Sequence, residues 1–116
     1  MQSYVYIGYS ALNNQSKIGQ TTQTPQRRAC DIRKTADKDF QLLTYKQINE
    51  LNNKGSFSLA IESFMRARLL RAGYTQIGND HFHCTKEMLN SFVQIAQKAA
   101  NDFCEIEQWG ASVWSE

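Results

Sequence analysis

Residues 3 to 9 alternate between two sets of side chains, which is the pattern of a β-strand, and they are rich in aromatic and β-branched residues. One set is apolar, whereas the other contains Tyr4 and Tyr6. A turn then precedes a second short strand, Ser16 to Gln20, so the two segments predict a hairpin. If the register allows it, Lys17 shares the sheet face of the two tyrosines.

Three later segments repeat apolar residues with the period of a helix. Thr24 is a good N-cap and Pro25 suits the first helical position, so the first helix should run from Pro25 to about Thr35. The second helix should run from Leu59 to Ala72, with Ser58 as its N-cap. The third should run from Thr85 to about Phe103.

Extended segments separate these helices. Phe40 to Ile48 has the composition of a third strand, and short strands are expected at residues 74 to 77 and 81 to 84. The order predicts an α+β protein, with a small three-stranded antiparallel sheet flanked by helices. We expect residues 1 to 84 to form the principal domain and residues 85 to 116 to add a helix and tail packed on it.

The chain length and composition fit one soluble domain. It has 116 residues, of which 41% are hydrophobic, so a folded core is expected rather than disorder. We find no apolar run long enough for a membrane helix and no signal peptide, and we therefore expect a cytoplasmic protein. The three cysteines, Cys30, Cys84 and Cys104, match no disulfide or zinc pattern and are expected to be reduced.

The charges are divided unevenly along the chain. Residues 1 to 73 contain eleven Lys or Arg and five acids, whereas residues 74 to 116 contain two and six, which gives +6 followed by −4. A basic surface attracts polyanions because phosphate contacts release counterions. The alternative is an ordinary solvated surface with chance clustering of charge.

Five short motifs occur in a characteristic order: Tyr4-Val5-Tyr6, Lys17-Ile18-Gly19, Thr21-Thr22, Pro25-Gln26-Arg27-Arg28 and Asp80-His81-Phe82. Each is weak alone, but their order, spacing and predicted elements are more specific. Over residues 4 to 84 the chain resembles the GIY-YIG nuclease superfamily, and most of all its subgroup from phages and other mobile elements. The resemblance implies a metal-dependent DNA endonuclease, in the host cytoplasm if phage-encoded.

The resemblance also implies catalytic roles for separate side chains. Tyr6 would take a proton from the attacking water or position it, and the Lys17 ammonium would favour the phenolate and contact a phosphate oxygen. Arg28 would stabilise the charge that builds on phosphorus, with Arg27 as the competing candidate. Lys17 replaces the usual second-motif tyrosine, and Tyr4-Val5 replaces the usual Gly-Ile of the first motif.

Glu62 is the candidate metal ligand. It is the only acid between Gly55 and Ile77, and one carboxylate with waters and a substrate phosphate suits Mg²⁺ or Mn²⁺. The alternative is an ion pair with Arg66 four residues later in the same helix. A soft-metal site at His81, His83 and Cys84 is not expected, because no second Cys or His pair completes it.

The same resemblance gives a set of substrate-binding positions: Tyr4, Gly19, Thr21, Arg27, Arg66 and His81. Structural alternatives exist for two catalytic residues, since Lys17 also fits an exposed strand lysine and Tyr6 fits half-buried sheet packing.

A second function is compatible with the sequence. A nuclease-like module without turnover would bind DNA or a host protein, using Trp109, Trp114 and the acidic end. The chain is short for a separate target-recognition domain, and a homodimer would supply such contacts. The sequence leaves the choice between DNA and RNA open.

Overall fold

The computed structural model describes residues 2–50, 55–103 and 110–111. The elements in chain order are β1 (Gln2–Ser10), β2 (Gln15–Thr21), α1 (Pro25–Thr35), β3 (Gln41–Asn49), α2 (Ser56–Arg71), β4 (Gln76–Ile77), β5 (His81–His83), α3 (Lys86–Phe103) and β6 (Gly110–Ala111). The α+β class predicted from the sequence is confirmed. Cys104, Trp109 and Trp114 lie outside the described residues, while Cys30 and Cys84 are free thiols.

The predicted hairpin is formed by β1 and β2. Its antiparallel register places Tyr6 opposite Gly19 and Gly8 opposite Lys17. Directly opposed residues of an antiparallel pair lie on the same face, so Lys17 shares the face of Tyr4 and Tyr6 as predicted.

The sheet is wider than the three strands that we expected. Its strand order is β4-β5-β2-β1-β3-β6, and all of its pairs are antiparallel. The short strand β5 pairs with the outer edge of β2, and β4 extends that edge further. The sequence indicated short strands after α2 but not the edge on which they lie, because strand periodicity carries no information about the partner strand.

Helices cover both faces of the sheet. The larger core includes Ile7 and Ile18 from the hairpin, Met65 from α2 and Phe92 from α3. The smaller core lies on the opposite face and consists of Tyr6, Ala29, Ile32, Phe40 and Leu42, with α1 as its cover. Within the described residues, no helix combines the length and apolar character needed to cross a membrane.

The start of α1 agrees with the prediction, whereas the start of α2 does not. Thr24 Oγ1 accepts a hydrogen bond from the Arg27 amide at 3.3 Å. The second helix begins at Ser56 rather than Leu59, so Ser58 lies inside it and is not its N-cap. Glu50 provides the capping oxygens instead, because its carboxylate accepts the amides of Phe57 at 2.9 Å and Ser58 at 2.8 Å.

Glu50 is buried, and Ser3 Oγ also donates to its carboxylate. Burial by itself would raise the pKa of Glu50, but the hydrogen bonds from Ser3 and from the Phe57 and Ser58 amides hold that pKa below its ordinary value. The ionised carboxylate therefore connects the end of β3 and the start of β1 to the first turn of α2.

We expect Glu50→Gln to lower the free energy of unfolding by about 1–3 kcal/mol near neutral pH, because two amides and a hydroxyl lose a charged acceptor. Since the folded-state pKa is lowered, the stabilisation is present above the unfolded-state pKa and disappears as the pH falls through the folded value. Urea unfolding from pH 3 to pH 8 would measure the difference. The exposed Asp102→Asn is the control, and an equal, pH-independent loss in both variants would contradict the capping role.

Candidate functional site

Tyr6 lies at the centre of the candidate site and is only 2% exposed. Its ring lies across the backbone of β2, where a Cβ atom placed on Gly19 would be 2.1 Å from Tyr6 Cζ and 2.3 Å from its hydroxyl oxygen. Real Cβ contacts are not this short, so residue 19 has to be glycine for the phenol to occupy this position. The role of Gly19 in this geometry is thus to admit Tyr6.

The two adjacent arginines of α1 have different surroundings. Arg28 is half-buried and lies close enough to the Tyr6 phenol to lower its pKa, whereas Arg27 is exposed. Because the guanidinium has only donors, it would donate to the phenol oxygen in this contact. Of the two candidates from the sequence, Arg28 is therefore the one that lies at the tyrosine.

Lys17 is buried, with 7% of its surface exposed, which excludes the alternative of an exposed strand lysine. Its ammonium forms an ion pair with Asp80 and lies 6.0 Å from the centroid of the Tyr6 ring. The other oxygen of Asp80, Oδ1, is 3.0 Å from Nδ1 of His81. One carboxylate thus contacts a lysine of β2 and a histidine of β5.

Asp80 is the residue of this site to which sequence reasoning assigned no role. Its hydrogen bond with His81 and its pairing with Lys17 outweigh burial and hold the pKa of Asp80 well below its ordinary value. In the sequence, Asp80 is visible only as a single acid in the turn before β5. Its significance depends on the pairing of β5 with β2, which sets Lys17 opposite His81.

Glu62 lies on α2, 9% exposed, and forms the ion pair with Arg66 that was the alternative to a metal-ligand role. The carboxylate also interacts electrostatically with Asp80 and Lys17, so it belongs to the same group of charges. Burial, assisted by the negative charge of Asp80, raises the pKa of Glu62 against the opposing effects of Arg66 and Lys17.

Burial also raises the pKa of Tyr6, although Lys17 and Arg28 act in the opposite direction. A phenol with a raised pKa stays protonated at neutral pH. In this state the phenol is able to donate a hydrogen bond but is a poor acceptor for a proton from water. The phenol therefore suits positioning better than it suits general-base catalysis.

The remaining sequence candidates are arranged less specifically. Tyr4 packs edge-to-face against Tyr45 with centroids 6.4 Å apart, and Thr21 Oγ1 accepts the Gln23 amide at 3.0 Å in the turn after β2. These contacts stabilise the local structure. Arg27 stays on the exposed surface of α1, where it is available to a ligand.

Glu62 is the residue that would hold a divalent cation. No group of three or more His, Cys, Asp and Glu side chains suitable for a metal occurs in the part of the chain that is described. Mg²⁺ needs few protein ligands, because it retains much of its water shell and uses substrate phosphates. Arg66 occupies Oε1 of Glu62, and the second carboxylate oxygen is compatible with this mode of binding.

Comparison with known proteins adds no relative: no family model, no curated protein and no solved structure matches the chain. Any functional inference therefore depends on the chain's own residues, their geometry and the order of its short motifs.

We expect Gly19→Ala to lower the free energy of unfolding by about 1–3 kcal/mol, because the added methyl overlaps the Tyr6 ring. The loss should be much smaller when the same change is made in a Tyr6→Leu background. Chemical denaturation of the two single variants and the double variant measures the coupling. Additive effects would show that the Tyr6 ring is not the group that excludes a side chain at residue 19.

Tyr6 should ionise above the ordinary tyrosine range. The absorbance change of the phenolate, measured as wild type minus Tyr6→Phe, isolates its titration. In Lys17→Met the transition should move to still higher pH, because the nearby cation is lost. An unchanged or lower transition would contradict the placement of the ammonium beside the phenol.

Proposed function

We propose that this protein hydrolyses phosphodiester bonds of DNA as a metal-dependent endonuclease of the GIY-YIG type. The observation that carries the proposal is that Lys17 of β2 interacts both with Tyr6 of β1, which Arg28 of α1 approaches, and with Glu62 of α2. These interactions link four chemically different side chains from four elements through one lysine. Separate elements that bring such groups together are typical of an active site.

Each group has a task that its chemistry permits. The Arg28 guanidinium can give two donors to phosphate oxygens and keeps its charge throughout the reaction. Lys17 adds a second positive charge, and the protonated Tyr6 adds a hydroxyl donor close to it. Mg²⁺ or Mn²⁺ at Glu62 would supply Lewis-acid stabilisation of the phosphate charge.

The charge distribution supports a nucleic acid as substrate. The basic part of the chain contains the whole hairpin and α1, on which Arg27, Arg33 and Lys34 are exposed. Such a surface gives sequence-independent affinity for the phosphate backbone. The motif order in residues 4 to 84 supports DNA and a phage or mobile-element origin.

One observation favours the second candidate, a binding module of the same fold without turnover. Tyr6 contacts Arg28, Lys17 pairs with Asp80, and Glu62 pairs with Arg66. A polar network whose members contact one another also stabilises a fold without any catalysis. Such a module would bind DNA or a host protein and would show no response to divalent metal.

Cleavage of plasmid, linear and single-stranded DNA, and of RNA, should appear with Mg²⁺ or Mn²⁺ and stop with a chelator. Glu62→Gln should abolish cleavage and preserve DNA binding, because the carboxamide keeps the shape but not the charge. Arg28→Ala should lower kcat by a factor of about 100 or more, since it removes charge stabilisation at phosphorus.

Arg71→Ala is the matched control for Arg28→Ala, because Arg71 is an exposed arginine near the end of α2. Its kcat should stay within about threefold of wild type. If the wild-type protein leaves every nucleic acid intact at all salt and metal concentrations tested, the nuclease proposal is wrong. Equal losses in the two arginine variants would reject the specific role of Arg28.

A further inference from the structure

His81 has two ring nitrogens in different situations. Nδ1 is 3.0 Å from Oδ1 of Asp80, and its side chain is 38% exposed. Because a carboxylate oxygen can only accept, this contact favours the neutral ring form with its hydrogen on Nδ1. In the neutral ring the lone pair is then on Nε2, which makes Nε2 the proton acceptor.

We propose that His81 is the catalytic base of this site, accepting a proton from the attacking water at Nε2, and that Asp80 is its positioning residue. The inference rests on the proposed nuclease function and assigns a step that the Tyr6 phenol is poorly placed to perform. It also changes the expectation for His81 from substrate contact to catalysis.

The contrast with Tyr6 supports this assignment. Tyr6 is 2% exposed, and Arg28 lies beside its phenol. His81 is much more accessible to water, because 38% of its side chain is exposed. A base has to reach a water molecule, and the exposed ring of His81 meets this condition where the buried phenol of Tyr6 does not.

Asp80 fixes the base relative to the phosphate-binding groups. Oδ1 contacts His81 while Oδ2 contacts Lys17, and the strand register places these two residues opposite each other. Glu62 on α2 interacts electrostatically with Asp80 and Lys17, and it completes the set of charges around the turn. Asp80 therefore holds the His81 ring and the Lys17 ammonium together on the two oxygens of one carboxylate.

The proposed step is balanced in atoms and charge. The water oxygen forms a bond to phosphorus while its proton moves to Nε2 of His81. The bond from phosphorus to the leaving sugar oxygen breaks, its electron pair stays on that oxygen, and the oxygen takes a proton from solvent. The imidazolium then returns its proton to solvent, and Asp80 stabilises the charged ring in the interval.

The tautomer of His81 tests the positioning without reference to activity. In ¹⁵N-labelled wild-type protein near pH 8, two-bond correlations should show His81 as the Nδ1–H form, whereas free histidine favours Nε2–H. Asp80→Asn should shift His81 toward the common form, because an amide has one acceptor oxygen where the carboxylate has two. His83, exposed on the same strand, is the internal control and should not change. An Nε2–H form in the wild type would overturn the proposal.

Kinetics test the catalytic step. His81→Gln should lower kcat by a factor of about 100 or more with KM nearly unchanged, and His83→Gln should retain wild-type kcat. Added imidazole should restore part of the activity of His81→Ala, which a purely structural histidine would not allow. Asp80→Asn should lower kcat alone but have little further effect in the His81→Gln background.

These experiments distinguish a failure of the nuclease function from a failure of the assignment of His81 as the base. An inactive wild-type protein would overturn the nuclease function and the base assignment together. An active wild type with His81→Gln within about threefold of it in kcat, or with no rescue by imidazole, would overturn the base assignment and leave the nuclease function standing. Melting curves of each variant would ensure that a loss of activity is not a loss of fold.

Discussion

The candidate site depends on the burial of one ammonium group inside a β-sheet. Lys17 is 7% exposed, and a charge in such a position is costly unless an opposite charge meets it. Asp80 meets it from the turn before β5. This pair requires β5 to lie on the edge of β2, so the widened sheet and the charged cluster are two consequences of the same constraint.

The second constraint is the packing of Tyr6 on Gly19. The ring fills the space over β2 that a side chain would otherwise occupy, and this position puts the phenol within reach of α1. Arg28 then contacts Tyr6 from the helix. A glycine in the second strand thus sets the geometry between sheet and helix, and its effect is on packing rather than on backbone conformation.

The surroundings of the polar groups shift their pKa values in different directions. Tyr6 and Glu62 are buried, and burial raises the pKa of each above its ordinary value. Its partners keep Asp80 ionised, so its carboxylate can bind the side chains of Lys17 and His81. Neighbouring titratable groups whose pKa values are shifted in opposite directions are typical of functional sites.

The sequence alone determined the features that arise from local periodicity and local hydrogen bonds. The hairpin, the Thr24 cap of α1, the shared face of Tyr6 and Lys17 and the Glu62–Arg66 pair involve short sequence separations, or the two-residue repeat of a strand. Tertiary structure decided the features that join distant segments. These are the pairing of β5 with β2, the Lys17–Asp80 contact across 63 positions and the capping of α2 by Glu50. The physical reason is that strand edges, buried charges and free helix amides accept any partner of suitable chemistry, and only the folded chain brings one partner to each.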